Sequence, residues 1–195
     1  MMRWWRSMVL AVVCGIPVVT ASGQDAAAPV SIRLRVAEEA RVGRPAPDIV
    51  LQYATRDGLG PVDQPFSLRK ELGRVVVLAF YPGDFTPGCT AEWQGLRDRA
   101  AELFGNDVVV AGISTDSLAS HVRFAREFDL PFKFLSDPDL IVARQYDAAD
   151  GRRARRAVVV LGRDGVVRYI DRAFAALDPE SYVHLGEAVA AATKE

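Results

Sequence analysis

Three short apolar runs, at residues 75–81, 108–113 and 157–161, narrow the fold more than any other feature of this chain. They are rich in valine and carry no alternating polar residue, which is the pattern of strands buried on both faces. Between the first two lies residues 87–104, where Trp93, Leu96, Ala100, Leu103 and Phe104 recur at helical spacing. A strand, a helix and a strand of these lengths imply a parallel pair joined by a right-handed crossover.

The remaining elements follow the same alternation. Residues 49–53 read as a short strand, followed by a Gly/Pro-rich loop over 57–65. Residues 117–129 form an amphipathic helix that buries Leu118, Val122, Ala125 and Phe128, and 132–135 a short strand. Asp137-Pro138 and Asp178-Pro179 both mark helix starts, with Asp as N-cap and Pro at the first helical position. Gly162-Arg163-Asp164-Gly165 turns the third apolar run into a hairpin with 166–170, and the last helix covers 179–192. Residues 31–36 alternate in strand period and suggest an edge strand within a linker, 24–41. The domain proper begins at Val42, giving one unit over 42–195.

The first 23 residues stand apart. Arg3 and Arg6 precede an apolar run over 8–19, and Thr20, Ala21, Ser22 and Gly23 supply small residues for cleavage. This is the layout of a secretory signal peptide, so export to the periplasm or beyond is expected, with an uncleaved membrane anchor as the alternative. Of the two cysteines, Cys14 lies inside that segment and Cys89 is alone in the domain, which excludes a disulfide framework. The net charge of −1 gives no field for nucleic acid or for an anionic membrane. His121 and His184 are far apart in sequence and read as surface helix residues, so no metal site is expected.

Cys89 follows the tight turn Pro82-Gly83-Asp84-Phe85-Thr86-Pro87-Gly88, at the start of the first helix. Thr86 suits the N-cap and Pro87 the first helical position, which needs no N–H. The thiol then sits in the first turn, where unpaired N–H groups favour a thiolate and can hold an oxygen of a small substrate. A free thiol has a pKa of about 8.5, so such a setting raises its reactive fraction at neutral pH. Gly88 lets substrate or backbone approach closely. The competing reading, an inert core cysteine, does not account for the Pro/Gly turn.

The run Phe80-Tyr81-Pro82-Gly83-Asp84-Phe85-Thr86-Pro87-Gly88-Cys89-Thr90-Ala91-Glu92 resembles the active-site strand and helix of peroxiredoxins, and is most similar to the bacterioferritin-comigratory or Q-type branch. Residues 42–48 resemble that family's opening and Leu135-Ser136-Asp137 its mid-domain segment. The resemblance covers nearly all of the chain after Val42. It implies an α/β, thioredoxin-like fold, with a central mixed β-sheet flanked by helices. It also implies reduction of hydrogen peroxide and organic hydroperoxides without a cofactor. The peroxidatic cysteine maps to Cys89, the active-site threonine to Thr86 and the first motif proline to Pro82. The family's arginine at the start of a late strand maps to Arg156, with Arg155 as its rival and Arg152 and Arg153 as solvated loop residues.

One departure stands out. Many Q-type relatives carry a resolving cysteine five residues after the first, and that position here is Gln94. A one-Cys cycle follows, in which the oxidised Cys89 is recycled by an external thiol, from a thioredoxin-like protein or a small molecule. A monomer or a homodimer is expected. Two alternatives remain. A thioredoxin-type oxidoreductase needs a Cys-x-x-Cys pair and finds Glu92 at its second position. A non-catalytic thioredoxin-like binding module leaves Thr86, Cys89 and Arg156 without a purpose.

Overall fold

The computed structural model of this protein describes residues 39–105 and 107–194. The expected signal segment, Cys14 and the edge strand over 31–36 lie outside the described residues. Seven strands form one mixed sheet. In chain order they are β1 (Tyr53–Thr55), β2 (Gly58–Leu59), β3 (Val75–Phe80), β4 (Val108–Ser114), β5 (Lys133–Ser136), β6 (Ala157–Leu161) and β7 (Val167–Asp171). Their spatial order is β7-β6-β3-β4-β5-β1-β2. The helices are α1 (Pro87–Asp98), α2 (Ala100–Leu103), α3 (Leu118–Glu127), α4 (Ile141–Gln145) and α5 (Pro179–Lys194). None of the described helices is long and apolar enough to cross a membrane.

The three valine-rich runs sit side by side at the centre. β3 pairs in parallel with β4, and β6 pairs antiparallel with β3. All six residues of β3 are buried, because side chains alternate between two covered faces. Val75, Val77, Ala79 and Tyr81 face α1, α3 and α5, among Trp93, Phe124 and Leu185. Val76, Leu78 and Phe80 face the opposite layer, with Ile49, Phe66, Val142 and Tyr146. The close fit of α1 on the sheet depends on Gly112 of β4. A Cβ there would lie 2.5 Å from the Trp93 ring and 2.9 Å from Phe134.

Several expectations are corrected. The strand read over 49–53 is two pieces: Val50–Leu51 pairs with Phe66–Ser67, while β1 joins the main sheet. The loop read over 57–65 contains β2, which closes a hairpin on β1. The single helix read over 87–104 is interrupted at Arg99, whose φ and ψ are −103° and 7°. Its guanidinium turns back to the Gly95 carbonyl (3.2 Å) and lies 4.6 Å from the centre of the Tyr182 ring of α5. The backbone ladder still crosses the interruption, from Arg99 N–H to the Gly95 carbonyl at 3.3 Å and from Leu103 N–H to the Arg99 carbonyl at 2.9 Å. Asp137 does cap a helix, accepting from the N–H groups of Ile141 and Ala143, both at 2.9 Å, but α4 begins only at Ile141.

The buried face of α3 is also rotated from its expected position. It consists of His121, Phe124 and Ala125, while Leu118, Val122 and Phe128 are only partly covered. His121 is therefore a core residue, not a surface one. Its polar partners lie in a distant loop, which helical periodicity does not reveal. His184, by contrast, is exposed on α5.

Candidate active site

The chain leaves β3 at Phe80, runs through a loop over 81–86, and enters α1 at Pro87. Thr86 has the extended backbone of an N-cap, with φ −72° and ψ 140°. Its side chain does not cap the helix, contrary to expectation. The hydroxyl instead donates to the Gly83 carbonyl at 3.0 Å, closing the loop on itself. With its hydrogen committed, the Thr86 oxygen is left as an acceptor facing outward from that bond. The first helical bond runs from Thr90 N–H to Thr86 C=O at 2.8 Å, so the N–H groups of Gly88 and Cys89 precede the ladder.

Cys89 is the third residue of α1 and the free cysteine among the described residues. Its side chain is 1% exposed. The guanidinium of Arg156 reaches it, with Nη2 3.7 Å from Sγ. The sheet register explains why this arginine arrives there. Ala157 stands opposite Phe80 in the β6–β3 ladder, and both face the α4 side. One residue back, Arg156 takes the opposite face, the side of Tyr81 and Cys89. Arg155 has the other parity and binds Asp147 instead, through its backbone carbonyl (2.9 Å from Nε) and its carboxylate (2.9 Å). Gly88 makes room for the guanidinium, since a Cβ there would lie 3.3 Å from Arg156 Nη2. Pro82 is half-buried at the start of the loop. Arg152 and Arg153 are exposed on the loop and hairpin that lead to β6.

Sequence reading missed one member of this site. Glu92 is fully buried on the face of Cys89, one turn along α1, and forms an ion pair with Arg156 Nη1. The pair fixes one edge of the guanidinium and leaves Nη2 toward sulfur. A buried carboxylate is costly unless paired, so Arg156 and Glu92 hold each other in place. The available signal was a charge three residues after Cys89, on a helical face that also carries Trp93 and Leu96. Tyr182 of α5 completes the surroundings, its hydroxyl bonded to Ala176 C=O at 2.8 Å. Burial pushes the Tyr182 phenol up, and the charges of Arg99 and Arg156 pull it partly back.

The arrangement provides a buried thiol under a guanidinium, two free backbone donors and a hydroxyl acceptor. These groups suit a small polar molecule that accepts an electron pair from sulfur and releases an anion.

Known proteins share this arrangement of elements. The chain is 44% identical over 105 residues, 54% of its length, to a candidate peroxiredoxin, bcp, of Coxiella burnetii. The match spans 65% of the Coxiella protein, so the chain covers less than two thirds of that relative's length. Among solved structures, the peroxidoxin BcpB of Mycobacterium tuberculosis superposes with a TM-score of 0.67 at 27% identity, covering 78% of this chain and 98% of that one. The bacterioferritin comigratory protein of Xanthomonas campestris, whose structure was examined for alkyl peroxide reduction, superposes at 0.63 and 25% identity, covering 73% and 92%. The AhpC/TSA family profile matches residues 42–170, from the start of the domain through the hairpin after Arg156, and the chain belongs to that family, the peroxiredoxins.

Proposed function

We propose that this protein is a thiol-dependent peroxidase that reduces hydrogen peroxide and organic hydroperoxides through Cys89. The observation that carries the reading is the approach of Arg156 Nη2 to Cys89 Sγ at the N-terminus of α1. A guanidinium cannot be deprotonated in a protein, so it sets a fixed positive charge beside the sulfur and the oxygen it attacks. The helix N-terminus acts in the same direction.

The reaction follows from these groups. The Cys89 thiolate attacks one peroxide oxygen in line with the O–O bond. The S–O bond forms as the O–O bond breaks, and the leaving hydroxide or alkoxide takes a proton to depart as water or alcohol. Cys89 is left as a sulfenic acid. The Thr86 oxygen accepts from the O–H of the hydroperoxide, since its own hydrogen is held by Gly83. Arg156 and the N–H groups of Gly88 and Cys89 stabilise charge as it grows on the oxygens. Pro82 lines the start of the same loop. No metal or organic group takes part in this scheme.

Recycling is of the one-Cys kind in this reading. Gln94 of α1 stands where a resolving cysteine would be, so an external thiol attacks the sulfenic acid, releases hydroxide and forms a mixed disulfide. A second thiol then frees Cys89. The N-terminal pattern supports export, where the thiol donor is a periplasmic or extracellular one.

Stopped-flow mixing of the reduced protein with hydrogen peroxide and with an alkyl hydroperoxide tests the reading. A fast phase that disappears in Cys89→Ser is expected. A rate no better than that of free cysteine overturns it in favour of a binding module.

A further inference from the structure

Behind the active-site loop lies a polar network that the peroxide chemistry does not touch. Asp84 and His121 have side chains 1% and 0% exposed. His121 Nδ1 stands 3.0 Å and 3.2 Å from the two oxygens of the Asp84 carboxylate. A carboxylate only accepts, so Nδ1 carries the hydrogen. The Tyr81 hydroxyl donates to the same carboxylate at 2.7 Å. The Asp84 N–H donates to Asp116 Oδ2 at 2.9 Å, and Ser114 Oγ donates to that oxygen at 2.8 Å. Gly83 packs against it so closely that a Cβ would stand 3.2 Å away.

This network ends at a site residue. The Gly83 carbonyl accepts the Thr86 hydroxyl, so the position of Thr86 depends on where residues 83 and 84 are held. Between Asp84 and Thr86, Phe85 has a φ of +59°, a region costly for a side chain with a Cβ. Its ring is clamped by α3, at 5.3 Å from Phe124 and with the Arg123 guanidinium 5.8 Å above. Such a conformation persists only where the surroundings impose it.

Two features argue against a device for stability alone. A buried pair of this kind is often no more stabilising than apolar residues of the same volume. In addition, His121 Nε2 is buried without a partner among the described residues, a cost that an apolar side chain would avoid. The bond through Nδ1 is what the imidazole supplies.

We propose that His121 is a positioning residue for peroxide reduction, acting through Asp84 to hold the 81–86 loop and aim the Thr86 hydroxyl. The inference rests on the peroxidase reading of Cys89. It separates two steps: His121 governs the fit of the peroxide, while Arg156 and the helix N-terminus govern the thiolate.

The test uses His121→Leu, which removes the bond, and His121→Asn, whose amide nitrogen can replace Nδ1. If His121→Leu does not fold, Asp84→Asn/His121→Leu, which leaves no orphan carboxylate, takes its place. The expected result is a peroxide rate lower by about 10- to 100-fold in the Leu variant, the scale of a small misplacement of a reacting group. Alkylation of Cys89 by iodoacetamide should be unchanged, and His121→Asn should recover most of the peroxide rate. In a Thr86→Ala background the loss of His121 should add nothing, because both changes act at one point. An unchanged peroxide rate in the folded variant, an equal fall in alkylation, or additive losses with Thr86→Ala overturns the proposal. Should the wild-type protein show no fast peroxide phase, the peroxidase reading itself fails. Amide hydrogen exchange at residues 83–86 then still decides the positioning role. Faster exchange in His121→Leu but not in His121→Asn supports it, and no difference overturns it.

Discussion

Arg156 approaches Cys89 with one nitrogen of its guanidinium, Nη2 at 3.7 Å from sulfur, while the other, Nη1, is held by Glu92. One planar group therefore joins a thiol and a carboxylate that lie a turn apart on α1. Lysine has no equivalent of this fork.

The first prediction follows from that geometry. Arg156→Ala should slow the reaction of Cys89 with hydrogen peroxide by about 100-fold or more, the usual scale for losing a donor at a developing charge. Arg156→Lys should restore only part of the rate, because one ammonium cannot meet both sulfur and Glu92. Arg155→Ala should leave the rate close to wild type, since Arg155 is engaged with Asp147 on the other face. Stopped-flow rates for the three variants decide it. A crippled Arg155→Ala beside an active Arg156→Ala would show that the guanidinium at Cys89 is not the working one.

Glu92→Gln should lower both activity and stability. The carboxylate is fully buried against Arg156, and neutralising it leaves a partly buried guanidinium without its counter-charge. Breaking a buried pair on one side costs about 3–5 kcal/mol, a scale that falls for Arg156 because it retains some solvent contact. Urea denaturation should show a lower midpoint with an unchanged slope, and the peroxide rate should fall with it. A variant as stable and as fast as wild type would remove Glu92 from the site.

Much of this architecture was legible because it depends on local pattern. Residues 157–161 are the strand expected from five consecutive apolar residues, and Arg156 reaches Cys89 because strand parity continues one residue past Ala157. What escaped depends on pairing between distant segments. His121 and Asp84 are 37 residues apart, and nothing around either one announces the other. Glu92 lies on a helical face where an apolar count finds only Trp93 and Leu96. The break at Arg99 coincides with a contact from α5: Arg99 lies over the Tyr182 ring, and a Cβ at Gly95 would lie 2.5 Å from the phenol oxygen. Periodicity reports which face of an element is covered. It does not report which buried charges meet there.

Gly112→Ala tests the packing that seats α1. The added Cβ would lie 2.5 Å from the Trp93 ring and 2.9 Å from the Phe134 ring, two rings whose centres are 4.7 Å apart. Overpacking of this kind costs about 1–3 kcal/mol. The thermal midpoint should drop, and Cys89, one turn before Trp93, should react more slowly as α1 is displaced. A midpoint equal to wild type would mean that α1 can shift without loss.

The last prediction concerns the fate of oxidised Cys89. One equivalent of peroxide should give a sulfenic acid that a dimedone-type reagent traps, with no intrachain disulfide. Within α1, Gln94 supplies an amide where a thiol would be needed, and Cys89 is the free cysteine of the described residues. With no second thiol among the described residues to intercept it, the sulfenic acid is exposed to a second peroxide, so excess oxidant should drive it to the sulfinic acid and end turnover. Gln94→Cys should alter this course. A thiol placed there is available to capture the sulfenic acid, at the cost of unwinding part of α1, and should raise the amount of peroxide needed for inactivation. Mass spectrometry of the oxidised protein, with non-reducing gels, distinguishes the outcomes. An intrachain disulfide in the unaltered protein would overturn the one-Cys cycle, and a covalent dimer through Cys89 would make the second protein molecule the resolving partner.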